Sequence, residues 1–129
     1  MQQFRTPQVV LFSDDVVRAA AFYSGLGFVE TFRVPTEGVP IHVDLELDGY
    51  KLGIASVDSV RDDHGLDSVP RGQRAAVILW TDDVDSAFER LTARGAPALG
   101  RPGEWLGRLR IAWIADPDGH PVQLVQHDR

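Results

Sequence analysis

The chain contains no cysteine. Disulfides, thiolate nucleophiles and cysteine-type zinc sites are thereby excluded, and histidine and the carboxylates remain as the strong metal ligands. No apolar run approaches the roughly 20 residues that a membrane-spanning helix needs. The opening segment, Met1-Gln2-Gln3-Phe4-Arg5-Thr6-Pro7, lacks the apolar stretch of a signal peptide. The expectation is a cytoplasmic protein that does not touch a membrane. Positive charge is also scarce: 13 Lys and Arg against 19 Asp and Glu leave a formal net charge of -6, and the basic residues are dispersed. Such a surface repels a phosphate backbone, which argues against nucleic-acid binding. It favours cationic or neutral partners, although mild acidity also serves solubility alone.

What is present is the composition of an ordinary globular domain, 129 residues with 43% hydrophobic and 25% charged side chains, enough to bury a core without disulfide or metal staples. Its organisation is a tandem repeat. Val16, Ala19, Ala20 and Tyr23 follow Ser13-Asp14-Asp15, and Val84, Ala87, Phe88 and Leu91 follow Thr81-Asp82-Asp83. Both sets have the i, i+3, i+4, i+7 spacing of one apolar helix face. Asp15 and Asp83 are 68 residues apart, as are Gly27 and Gly95, the glycines that close the two segments. Each helix is preceded by Ser or Thr and Asp, which accept hydrogen bonds from first-turn N–H groups, and by a short apolar run, residues 8–12 and 75–80.

Three strands are expected after each helix. In the first half these are residues 28–34, residues 41–48 with Ile41, Val43, Leu45 and Leu47 alternating against His42, Asp44, Glu46 and Asp48, and residues 50–55 beyond an Asp48-Gly49 hairpin turn. In the second they are a weak strand near Pro97-Ala98-Leu99, a longer one over 108–115, and residues 121–126 after Asp116-Pro117-Asp118-Gly119. The expected class is α+β, two βαβββ modules over 1–55 and 74–129 that together make one domain with a curved mixed sheet around a cup-shaped pocket. Residues 56–73, polar and poor in apolar side chains, read as a linker with room for one turn of helix.

The Asp-initiated helix ending Phe22-Tyr23, then Gly25-Leu26-Gly27-Phe28, together with Asp116-Pro117-Asp118-Gly119-His120-Pro121-Val122-Gln123-Leu124, closely resembles the vicinal-oxygen-chelate superfamily. That superfamily includes glyoxalase I, extradiol dioxygenases and bleomycin-resistance proteins. The resemblance covers nearly the whole chain and is more specific for fold than for chemistry. It implies that a metalloenzyme member would draw ligands from the first and last strand of each half. Here those positions fall on Gln8 and Gly53 in the first half and on Ala76 and Gln123 in the second. Glycine and alanine carry no donor, and two neutral amides replace little of a divalent cation's hydration. No metal and no cofactor is expected. The resemblance also implies a homodimer.

His42 shares a strand face with Asp44 and Glu46, a combination suited to proton transfer, so His42 is the candidate base; the alternative is a polar face turned to solvent. Trp80 alternates with Ala76 and Ile78 on the face of the ligand position, and Trp105 stands in the glycine-flanked segment 103–107 read as a binding loop. Trp113 reads as core. His64 belongs to the polar linker, His120 to a turn, and His127 to a loose terminus. The expected small-molecule-binding set is Gln8, Phe12, His42, Asp44, Glu46, Trp80, Trp105 and Gln123. The leading expectation is a metal-free protein that binds an aromatic or cationic antibiotic or metabolite. A metal-dependent lyase or dioxygenase, or a metal-free enzyme of natural-product metabolism, remain the alternatives.

Overall fold

The computed structural model describes residues 6–67 and 75–127, and its element order repeats a βαβββ plan. The chain divides into two compact units, Met1–Pro70 and Arg71–Arg129. In the first, β1 (Val9–Ser13), α1 (Val16–Gly25), β2 (Val29–Val34), β3 (His42–Leu47) and β4 (Tyr50–Ser56) are followed by α2 (Val57–His64). In the second, β5 (Val77–Trp80), α3 (Val84–Ala93), β6 (Ala98–Trp105), β7 (Leu109–Ala115) and β8 (Pro121–His127) complete the plan. Each unit is a four-stranded mixed sheet, ordered β1-β4-β3-β2 and β5-β8-β7-β6. The first strand of each runs parallel to the last, and the other pairings are antiparallel. The expected α+β class is observed.

The two repeated helices start on the same device. Asp15 and Asp83 are the N-caps, with φ/ψ of -147/92 and -147/93. Asp15 Oδ1 accepts from the backbone N–H of Arg18 at 3.1 Å, and Asp83 Oδ1 from that of Ser86 at 3.0 Å. The preceding Ser13 and Thr81 hydroxyls in turn accept from the N–H groups of Asp15 and Asp83. A carboxylate at this position satisfies orphan donors and complements the positive end of the helix dipole. After each helix the chain turns at Gly27 and Gly95, with φ of +113° and +105°, a region that only glycine enters without strain.

The apolar stripes lie where the spacing placed them. Val16, Ala19, Ala20 and Tyr23 are buried against β3 and β4, and Val84, Ala87 and Leu91 are buried on α3 facing β7 and β8; Phe88 is half-buried. Opposite them, Val43, Leu45, Leu52 and Ile54 form the first core and Ala112, Ile114, Val122 and Leu124 the second. Tyr23 is edge-on to both Phe22 and Phe28, an arrangement favoured by the ring quadrupoles.

Three readings of the sequence need correction. Residues 57–64 form a two-turn helix, capped by Ser56 through the Ser59 N–H and closed by Gly65 at φ 71, which buries Val60 against the first sheet; residues 68–73 of the expected linker lie outside the described residues. One apolar anchor suffices once both helix ends are capped. The strand β6 is eight residues long and includes Trp105, read from sequence as part of a loop. Its glycines and Pro102 disguise it, and its pairing with β7 is irregular between Ala98 and Gly103. The actual turn is the three-residue loop Leu106-Gly107-Arg108 between Trp105 and its partner Leu109, with Leu106 and Gly107 at positive φ. Finally, Trp113 alternates with Ala112 and Ile114, which fill the core, and is itself half-buried on the opposite face of β7.

Candidate functional site

Each sheet has one face under its helix and one open face, and strict alternation distributes the residues between them. On the first open face, neighbouring strands bring side chains into ladder rows. One row holds Phe12, Ala55, His42 and Val34, and the next Val10, Gly53, Asp44 and Phe32. Glu46 and Lys51 pair in a third. Five expected site residues, Gln8, Phe12, His42, Asp44 and Glu46, thus belong to this one face.

Three of them are joined. Asp44 Oδ1 accepts from Gln8 Nε2 at 2.8 Å and lies 2.7 Å from His42 Nε2. The Asp44 and His42 side chains are both partly buried, at 17% and 28% exposure. In the tautomer that donates Nε2–H to the Asp44 carboxylate, the lone pair of the neutral ring is on Nδ1. The edge of the cluster is apolar: Phe32 lies edge-on to the His42 ring, and Val10, Phe12, Phe32 and Val34 all keep exposed surface. Gly53 lies beneath. A Cβ there would come to 3.0 Å from Val10 Cγ2, 3.1 Å from Gln8 Nε2 and 3.2 Å from Asp44 Oδ1.

On the second open face one row holds Ile78, Gln123, Trp113 and Gly100, the next Trp80, Val125 and Ile111, and a third His127, Leu109 and Trp105. Trp80 and Trp105 remain more than half exposed, at 59% and 52%. The imidazole of His127 stacks on Trp80 with ring centroids 4.7 Å apart, so this histidine is held by a ring contact rather than loose. Trp113 lies over Gly100, where a Cβ would meet its ring at 3.2 Å. Trp80, Trp105 and Gln123 therefore share one surface, and Trp113, Ile78 and His127 join them. The alternation of Trp113 against Ala112 and Ile114 carried the signal for this placement, and the row partners required the strand register.

The donor set does not fit the metal site implied by the resemblance. Ala76 and Gly53 have no ligand atom, and the space above Gly53 is filled by the bond between Gln8 and Asp44. Gln8 directs its nitrogen, not its oxygen, at that carboxylate. A second group, Asp116, Asp118 and His120, places one ligand atom each within 4.8 Å of one another. There, Asp116 Oδ1 accepts from the N–H groups of Asp118 and His120, and Oδ2 pairs with His120 Nδ1 at 2.8 Å. The arrangement closes the β7–β8 turn. The hydrogen bond to Asp116 raises the His120 pKa above its ordinary value, against the opposing effect of burial.

A cleft of about 480 Å³ lies at the end of β1 and β4, lined by Asp14, Asp15, Asp58, Asp62 and Asp63 with Val39, Pro40 and Ile41 at one side. Arg61 already pairs with Asp58 and Asp62. His64, the last residue of α2, is exposed. Among the described residues, no helix is long and apolar enough to cross a membrane.

The model of the family described as Glyoxalase/Bleomycin resistance protein/Dioxygenase superfamily matches residues 5–124. Among solved structures, TioX from Micromonospora sp. ML1 is 26% identical with a TM-score of 0.76, covering 96% of this chain and 99% of its own. A glyoxalase-related enzyme from Fulvimarina pelagi is 25% identical with a TM-score of 0.79, covering 98% and 88%. A lactoylglutathione lyase from Agrobacterium tumefaciens, 20% identical with a TM-score of 0.70 over 92% and 90%, shares the fold. No curated protein matches.

Proposed function

Because the chain belongs to the Glyoxalase/Bleomycin resistance protein/Dioxygenase superfamily, we propose that it is a metal-free small-molecule-binding protein whose ligand is planar, aromatic and neutral or cationic. One observation carries the reading. On the second open face the Gln123 amide is framed by Ile78 and Trp113 in its own row and by exposed Trp80 in the next. Rigid aromatic surface around one polar group is the composition of a pocket that takes a flat ligand and orients it. The net charge of -6 suits a cation. Trp105 borders the same surface, and in the first unit Gln8, His42, Asp44 and Glu46 supply polar contacts and Phe12 an aromatic one. A homodimer in the cytoplasm is part of the proposal.

The test is tryptophan fluorescence and thermal melting with a cationic acridine dye. Quenching together with a rise in Tm, both lost in Trp80→Ala, is the expected result, since a ligand that binds only the folded state stabilises it. Failure of the dye to quench or to shift Tm overturns the ligand class. A stoichiometric divalent ion in the purified protein, lost in Gln8→Ala or Gln123→Ala, overturns the metal-free reading.

A further inference from the structure

We propose that His42 is a metal-independent general base, with Asp44 and Gln8 as its positioning residues, and that it acts on a planar carbon or oxygen acid held against Phe12 and Phe32. The proposal goes beyond ligand binding and stands on the first unit alone.

A base must have its lone pair fixed, its conjugate acid stabilised and its substrate held against it. The bond from His42 Nε2 to Asp44 Oδ1 at 2.7 Å meets the first condition by holding the proton on Nε2 and leaving Nδ1 free to accept. It meets the second geometrically, because the ring that has taken a proton at Nδ1 keeps its Nε2–H bond to the carboxylate. That carboxylate is not free to turn away, since the same Oδ1 also accepts from Gln8 Nε2 at 2.8 Å. Gly53 makes the second bond possible: the nitrogen of Gln8 passes where a side chain at position 53 would begin. The third condition falls to the apolar frame. Phe12 shares the row of His42, Phe32 shares that of Asp44 and lies edge-on to the imidazole, and both rings keep exposed surface. Glu46 and Lys51, the other charged residues of this face, stand opposite each other in the strand register one row further along.

The probe is a nitrobenzisoxazole, a flat carbon acid. The ring C–H proton passes to His42 Nδ1, the C–H electron pair becomes part of the nitrile, the N–O bond breaks and the oxygen leaves as a phenolate. The imidazolium then returns its proton to water. Nothing is oxidised or reduced overall and no co-reactant is needed.

We expect the full-length protein to turn this probe over in the presence of EDTA, with a gain over solution of the order that a positioned base supplies, about a hundredfold or more. His42→Ala and the isosteric His42→Gln lose that gain, and a retained melting transition in either one excludes unfolding as the cause. Asp44→Asn lowers kcat about tenfold and Gln8→Ala about threefold, each with KM nearly unchanged. The ¹⁵N shifts of the His42 ring report an Nε2–H tautomer in the parent and a mixture in Asp44→Asn, a change that loss of packing alone would not produce. Equal rates in the parent and in His42→Gln, or a rate abolished by EDTA and restored by a divalent metal, overturn the proposal. Because the dye experiment reads the tryptophans of the second unit, each reading can fail without the other.

Discussion

The side-chain amide of Gln8 crosses over Gly53 to reach Asp44: its nitrogen is 2.8 Å from Oδ1 of the aspartate and would be 3.1 Å from a Cβ on the glycine. The absence of a side chain at position 53 of β4 thus lets Gln8, just ahead of β1, meet Asp44 of β3. At the position where the superfamily resemblance places a ligand, this chain has a hydrogen bond between neighbours instead.

Gly53→Ala tests that relationship. The new methyl group must displace Val10, Gln8 and Asp44 together, and overpacking outweighs the backbone-entropy gain of removing a glycine. A net loss of about 1 kcal/mol in denaturant unfolding is expected. In a Gln8→Ala background one of the three close contacts is gone, so the same substitution should cost less, with a coupling of roughly 0.5 kcal/mol or more. Strict additivity of the two substitutions would show that Gln8 does not occupy this space.

The two N-caps give a matched pair. Asp15 and Asp83 share backbone angles within a degree and accept equivalent hydrogen bonds, so Asp15→Ala and Asp83→Ala should each destabilise by about 1 kcal/mol. Chemical denaturation of the single and double variants checks this. They share no partner, and their effects should add.

The turn between β7 and β8 predicts a pH dependence. The pKa of His120 is raised in the folded state, chiefly by the hydrogen bond to Asp116. A raised histidine pKa contributes stability that is complete below the unfolded value, near pH 6.5, and is lost as pH rises through the folded value. Thermal melting should therefore show Tm falling as pH rises from about 6.5 through the raised folded value in the parent, and the fall should be absent in His120→Asn. Asp116→Ala, which strips the acceptor from two backbone N–H groups and the imidazole, should cost about 3 kcal/mol.

Two adjacent residues of β7 should respond oppositely to truncation. Ile114 is fully buried under α3 and Trp113 is half-buried on the other face. Ile114→Ala is expected to cost about 3 kcal/mol, whereas Trp113→Ala should cost about 1 kcal/mol and weaken dye binding roughly tenfold. Urea titrations and fluorescence quenching on the same preparations measure both. A core-sized loss of stability in Trp113→Ala would contradict the placement.

Much of this chain could be read directly because its rules are local. Helix stripes have a period set by the helix itself, cap residues act within four positions, and the 68-residue repeat exposes both copies at once, so the α+β class and the βαβββ order of each half followed from the sequence. The same locality explains the errors. The helix over 57–64 rests on one buried valine and two caps, too faint a pattern among its charges. The strand β6 carries two glycines and a proline where a strand would show branched residues.

The pairing of His42 with Asp44 on one face was legible in the alternation of β3, since residues two apart on a strand always share a side. That Gln8 joins them, that Gly53 makes room for it, and that Trp80 lies beside the row of Gln123 and Trp113 were decided only by tertiary structure. Those relationships depend on the register between strands far apart in sequence, such as Val10 against Gly53 and Ile78 against Gln123. Register is a property of the assembled sheet, and a shift of one residue would turn every one of these side chains to the opposite face.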